Sequence, residues 1–187
     1  MEKHDMIELS NRKIGILVED LFEDLELWYP AIRMREAGAQ VRLLGAGQEV
    51  YEGKRGLTAN PDADVSMVRS SELDGLIIPG GYAPDHLRRH EPVLELVRAM
   101  DRENKPIAFI CHAGWVPISA GIVKGRRVTS FQAIRDDLVN AGAQWEDSAV
   151  VIDGNLISSR HPGDLPDFCR AIIARIAHRQ GAAFEES

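Results

Sequence analysis

The chain has 187 residues, a formal net charge of −7, 44% hydrophobic and 27% charged residues, a composition that suits one globular domain over 1–187 with a sizeable core. The acidic balance argues against nucleic acid or an anionic membrane as a partner, and no apolar run reaches the ~18 residues of a membrane helix. The start, Met1-Glu2-Lys3-His4-Asp5, lacks the apolar core of a signal peptide, and two cysteines, Cys111 and Cys169, make no disulfide framework, which places the chain in a reducing, cytoplasmic setting.

Residues 1–12 read as a loose lead-in. Lys13 to Val18 (KIGILV) has the pattern of a buried strand in a parallel sheet. Glu19 to Glu26 then holds five acids in eight residues, between a strand and a helix, where open α/β sheets place ligands. The plainer reading is a solvated acidic helix start, favoured by the helix dipole. Pro30 suits an early helical position, Ala31 to Ala37 continues the helix, and Gly38 can stop it. Gln40 to Leu44 is a second strand. Val50-Tyr51 and Leu57-Thr58 form possible hairpin arms around Gly53, and Pro61 to Val68 a short helix.

Leu73 to Ile78 is a third strand running into Pro79-Gly80-Gly81, a turn whose missing side chains let backbone amides approach a ligand. Pro84 or Asp85 opens a helix to Arg89. Pro92 starts another, with Val93, Leu96, Val97 and Met100 at helical spacing. Pro106 to Ile110 is a strand that ends abruptly in Cys111-His112. A helix over Ala113 to Ala120 would follow, with Pro117 near its first turn. That pattern is a strand-to-helix elbow, which lifts one side chain clear of the sheet. The rival reading of Cys111 is a buried, inert thiol. Arg127 to Ser130 is a short strand and Ile134 to Ala141 a helix closed by Gly142. Ala149 to Asp153 and Leu156 to Ser159 flank a hairpin signal at Asp153-Gly154-Asn155. Leu165 to His178 is a terminal amphipathic helix with Phe168, Ile172, Ile173 and Ile176 on one face, and the tail from Gln180 is frayed. Strands alternating with helices give an α/β fold with a mainly parallel sheet and helices on both faces.

The chain resembles the DJ-1/PfpI superfamily, and within it the intracellular-protease-I (PfpI-like) branch. The resemblance rests on Phe22-Glu23-Asp24-Leu25-Glu26-Leu27-Trp28-Tyr29-Pro30, Ile78-Pro79-Gly80-Gly81-Tyr82-Ala83-Pro84-Asp85, Ala108-Phe109-Ile110-Cys111-His112, Ile118-Ser119-Ala120-Gly121, and Ile157-Ser158-Ser159-Arg160 leading to Asp164-Leu165-Pro166. It implies a flavodoxin-like three-layer sandwich and a homo-oligomer, dimeric or hexameric. It makes Cys111 the nucleophile, His112 its partner and Glu26 the carboxyl that approaches the sulfur. Gly80, Gly81 and Ala113 would line the oxyanion and substrate site. Asp85 would be the acid that reaches the histidine of a neighbouring subunit, although the branch often has the longer Glu there. A second departure is Ala113-Gly114-Trp115, where the family often has Gly-Pro-Gln or similar. Trp115 either reshapes the pocket or fills the core, and the burial tendency of Trp favours the core.

The resemblance implies a cysteine-dependent intracellular enzyme that attacks small reactive carbonyls or their protein adducts. The family is described variously as peptidases, glyoxalases and deglycases. The alternative from another class is an oxidative-stress sensor or holdase using an oxidisable Cys111; an amidotransferase is a weaker third. No organic cofactor is implied. His86 and His90 have the spacing of a metal pair but no evident third ligand, so no metal site is assigned. Cys169 reads as packing, Arg170, Arg175 and Arg179 as a solvated face, and Tyr82 and His161 as surface or pocket lining. Arg160 would bind a substrate carboxylate or pair with an acid.

Overall fold

The computed structural model describes residues 9–178; residues 1–8, the tail from Gln180 and Arg179 lie outside them. In chain order the elements are β1 (Lys13–Leu17), α1 (Asp24–Glu36), β2 (Gln40–Gly45), β3 (Tyr51–Glu52), β4 (Thr58–Ala59), β5 (Ala63–Asp64), β6 (Gly75–Ile78), α2 (Ala83–Leu87), α3 (Glu91–Arg102), β7 (Ile107–Ile110), α4 (Trp115–Ala120), β8 (Arg127–Val128), α5 (Arg135–Asn140), β9 (Gln144–Trp145), β10 (Val150–Asp153), β11 (Leu156–Ser159) and α6 (Leu165–His178).

Among the described residues the main sheet has seven strands in the order β10-β11-β7-β6-β1-β2-β5. Only the β10–β11 pair is antiparallel. β6 and β7 are buried at every position, which explains their unbroken apolar runs: a central parallel strand is covered on both faces. α1 packs against α6, and α3 against α4, so helices cover both sides of the sheet. α3 buries Val93, Leu96, Val97 and Met100, and α6 buries Phe168, Ile172, Ile173 and Ile176, the stripes that the helical spacing marks out.

The chain leaves β1 for β2 on one side and reaches β6 on the other. Strand order therefore reverses beside β1, the place where open α/β sheets form a crevice at the carboxyl ends of the strands. Three segments meet there. The loop after β1 bridges the turn after β6: the Tyr82 N–H donates to the Leu21 carbonyl at 2.9 Å and the Glu23 N–H to the Gly80 carbonyl at 3.1 Å. β7 lies next to β6 and delivers Cys111 to the same end.

Several elements differ from the sequence expectation. α1 starts earlier, at Asp24, and holds Pro30 in its interior; lacking an N–H, Pro30 cannot bond the carbonyl four residues back. The short helix expected within Pro61 to Val68 is confined to Val65–Met67, and the chain before it is extended. Asp62 accepts the Leu43 N–H at 2.7 Å, which keeps the chain extended beside β2, and β5 pairs Leu44↔Ala63 at the sheet edge. A single 3-10 turn follows, capped by Asp64. A 3-10 turn over Cys111–Gly114 precedes α4, the predicted strand at Arg127 to Ser130 stops at Val128, and β9, unforeseen, pairs with β8.

Candidate active site at the Cys111 elbow

Cys111 leaves β7 with φ 62°. That is left-handed backbone, rare for a residue with a side chain, and it is held here by the fold on either side. The carbonyl of Cys111 accepts the Phe131 N–H at 3.1 Å, so the elbow is tied to the segment after β8. The reversal sets the imidazole of His112 beside the sulfur, with Nδ1 3.2 Å from Sγ. The ring is stacked on Phe131 at 5.1 Å between centroids and meets Trp115 edge-on at 5.3 Å. Trp115 is only partly buried. Its Nε1–H donates to Asp137 at 2.8 Å and the Arg88 guanidinium lies over its ring, so this residue packs against the core from one side and walls His112 from the other.

Glu26 comes from the first turn of α1. Its residue is fully buried, and Oε2 accepts the Gly80 N–H at 2.8 Å. Gly80 is the spacer between acid and thiol. A Cβ there would stand 2.5 Å from Glu26 Oε2 and 2.7 Å from the Cys111 Cβ, closer than any side chain tolerates. Gly81 has φ 82° and its back is filled by the Leu21–Glu23 backbone.

Burial pushes the Glu26 carboxyl up to about 8, with Glu23 adding to the rise, so the group is protonated at neutral pH. Oε1 has no conventional hydrogen-bond partner among the described residues, and the carboxyl interacts with the Cys111 sulfur. The Cys111 thiol is pushed up to about 12, first by burial and then by the charge that Glu26 carries when ionised; the N–H groups of His112 and Gly81 act in the opposite direction. Burial, and then the nearby charge of Lys54, lower the His112 pKa. The arrangement at neutral pH is therefore a thiol, a neutral imidazole and a neutral carboxyl.

The site residues expected from the sequence fall into two groups. Cys111, His112, Glu26, Gly80 and Gly81 converge, with Ala113 buried directly behind the elbow. The Gly80 amide is committed to Glu26, whereas the Gly81 amide faces the sulfur. Asp85 does not join them within the chain: it lies on α2, partly exposed and ion-paired with Arg89. Among the described residues no carboxylate hydrogen-bonds His112. The acidic run is not the solvated helix start of the plainer reading, since Glu19, Asp24 and Glu26 are all buried.

Of the other candidates, His90 lies 3.5 Å from Glu19, and no group of three or more metal-binding side chains occurs among the described residues. Cys169 is buried in α6. Arg160 pairs with Asp164 and Asp147, and His161 lies 3.8 Å from Asp164. Tyr82 is exposed. Sequence reasoning missed Lys54, Phe131 and the role of Asp24; the only signal for Lys54 was its place beside Gly53 at a hairpin tip.

The chain belongs to the DJ-1/PfpI family, whose sequence profile matches residues 12–175. It is 45% identical to Deglycase PfpI of Pyrococcus furiosus over 161 residues, covering 86% of this chain and 97% of that protein. It is 41% identical to the putative cysteine protease YraA of Bacillus subtilis over 162 residues, 86% of this chain and 95% of the other. Its fold superposes with a TM-score of 0.87 and 40% identity on a two-domain protein from Anabaena variabilis with DJ-1/ThiJ/PfpI-like and ferritin-like domains. That match covers 89% of this chain and 48% of the other.

Proposed function

We propose that this chain is a cysteine-dependent enzyme of the PfpI type, whose Cys111 adds to the carbonyl carbon of small reactive aldehydes and ketones or of their protein adducts. The observation that carries the reading is the 3.2 Å approach of His112 Nδ1 to Sγ, on a strained elbow and beside a protonated, buried carboxyl. A neutral imidazole at that distance can take the thiol proton as the C–S bond forms, which is general-base activation of a nucleophile. The carbonyl oxygen becomes an alkoxide. The amides that already face the sulfur, those of His112 and Gly81, are the nearest donors to that charge. The Gly80 amide holds Glu26 instead, and the Glu26 O–H supports the anionic sulfur whenever it is regenerated. A homo-oligomer in which Asp85 of one copy meets His112 of another would supply the orienting acid that the single chain lacks.

The relatives' names favour an adduct-removing or peptide-cleaving reaction, and both begin with the same addition step. Methylglyoxal tests the step directly, because its conversion to lactate adds water and needs no external oxidant. Purified protein, free of Tris and added thiols, is expected to form lactate catalytically, and Cys111→Ala to fall by ~10³-fold or more. A second reading rests on the same carboxyl: a protonated Glu26 would donate to a cysteine sulfinate, as an oxidant sensor requires. Absence of turnover, together with ready oxidation of Cys111 by dilute peroxide, would replace the enzyme reading with that one.

A further inference from the structure

The acidic run after β1 does more than supply Glu26. Asp24, two residues earlier, is 3% exposed, and its carboxylate accepts the N–H groups of Arg55 and Leu57 at 2.9 and 3.0 Å. These belong to the tip of the β3–β4 hairpin. Gly53 is fitted to that cradle, since a Cβ there would stand 2.7 Å from the Asp24 carboxylate. The Lys54 N–H donates to the Phe22 carbonyl at 2.9 Å. A buried acid, a fitted glycine and a backbone bond thus fix the one residue of the tip between them, Lys54.

The Lys54 side chain is fixed as well. Nζ is 3.0 Å from Glu23 Oε2 and 5.4 Å from the centre of the Tyr82 ring, so it lies over the turn that contains Gly80 and Gly81. Glu23 is itself tied to that turn through its N–H bond to the Gly80 carbonyl. From this place the ammonium acts electrostatically on each reactive group of the site, Cys111, Glu26 and His112.

We infer that Lys54 is a positioning residue for charge: an ammonium held by Glu23, the Asp24 cradle and the Tyr82 ring, which stabilises the negative charge of Cys111 and of the alkoxide formed on it. An ammonium beside a half-buried thiol favours the anionic form of the thiol. It also disfavours a second positive charge on His112, keeping the imidazole in the neutral state that accepts a proton. Glu23 and Glu26 oppose it in sign; Glu26 is neutral at pH 7, and Glu23, paired with the ammonium, offsets part of its field. The inference rests on Cys111 being the nucleophile proposed above.

The test reads the thiol without any carbonyl turnover. The rate of iodoacetamide alkylation at Cys111, located by peptide mass, is followed from pH 5 to 10 in the wild type, Lys54→Met and Lys54→Arg. Lys54→Met is expected to displace the rising limb of the profile upward by at least about half a pH unit and to slow alkylation at pH 7 by roughly 3- to 10-fold. Lys54→Arg keeps the charge and is expected to stay within about twofold of the wild type at pH 7. Lys54 sits at a hairpin tip with its side chain partly in solvent, and equal melting temperatures confirm that the variants are folded. A Lys54→Met profile that overlays the wild type, or an Arg variant that behaves like Met, overturns the inference. A wild type that consumes no carbonyl, yet shows the Lys54-dependent profile, overturns the proposed reaction and leaves the role of Lys54 standing.

Discussion

The chain carries two free thiols that burial treats alike and the fold treats differently. Cys111 and Cys169 are both pushed up to about 12, in each case mainly by removal from water. Cys169 sits in the middle of α6 among Phe168, Ile172 and Ile173 in the core, with regular helical backbone on either side. Cys111 stands on a left-handed residue at the end of a buried strand, with an imidazole nitrogen at 3.2 Å and a protonated carboxyl beside it. Burial alone gives an inert cysteine. What makes a reactive one is a base to receive its proton and donors to hold the charge left behind.

The sharpest way to break that comparison is to remove each sulfur in turn. Cys111→Ala is expected to abolish methylglyoxal turnover, as above. Cys169→Ala is expected to leave turnover within about twofold and to cost stability, on the order of 1 kcal/mol for a small core void, read as a lower melting temperature. Loss of activity in Cys169→Ala at unchanged melting temperature would mean that the helix thiol has a chemical role that its surroundings do not reveal.

Much of this contrast is legible in the sequence, because it rests on local patterns. The apolar run Ile107–Ile110 followed by Cys111-His112 marks a strand ending at a reactive pair, and the stripe Phe168, Ile172, Ile173, Ile176 marks α6 as a core helix around Cys169. The resemblance to the family adds Glu26. The rest depends on distances that no periodicity encodes. Asp24 and Glu26 look like solvated helix-dipole partners until the turn at Gly80 and the hairpin tip at Gly53 close over them. Trp115 reads as core because Trp is usually buried, yet its Nε1–H is drawn outward by Asp137. Pro61 to Val68 has enough small and apolar residues for a helix, but the side chain of Asp62 ties it to β2. In each case one or two side chain-to-backbone or side chain-to-side chain bonds across the fold outweigh local propensity.

The comparison sharpens at Glu26, the group that separates the two thiol environments most. Its folded-state pKa is raised to about 8 from 4.5, so between those values the native state keeps a proton that the unfolded chain has released. Stability from this group is therefore fully present below pH 4.5 and declines as pH rises through about 8. Glu26→Gln is neutral throughout and escapes that decline. Its melting temperature, relative to the wild type, is expected to rise between pH 5 and about 8 and to level off above that, by an amount on the order of a few kcal/mol in stability. The same variant replaces the O–H donor to sulfur with the weaker amide N–H, so Cys111 alkylation at pH 7 should slow only slightly. A constant difference in melting temperature across the range would show that Glu26 is already ionised in the folded protein, and the thiol would then face a negative charge.

An effect well below that of removing Cys111 concerns Asp85, and it asks whether the Cys111 environment is complete in one chain. Asp85 is paired with Arg89 and makes no bond to His112. A shorter acid acting from a neighbouring copy would orient the imidazole less firmly than the base itself activates the thiol. Asp85→Asn is accordingly expected to lower kcat by about tenfold, against the far larger loss at Cys111. The decisive form of the experiment mixes subunits. Cys111→Ala protomers retain Asp85, and Asp85→Asn protomers retain the thiol. If the acid acts across an interface, refolding the two inactive or weakened variants together should yield assemblies more active than either alone. If it acts only on Arg89, mixing restores nothing and the activity is the average of the parents. A monomer of full activity in solution would go further, because His112 would then need no carboxylate, and Phe131 and Trp115, which hold the ring by stacking and edge contact, would be enough to keep Nδ1 aimed at the sulfur.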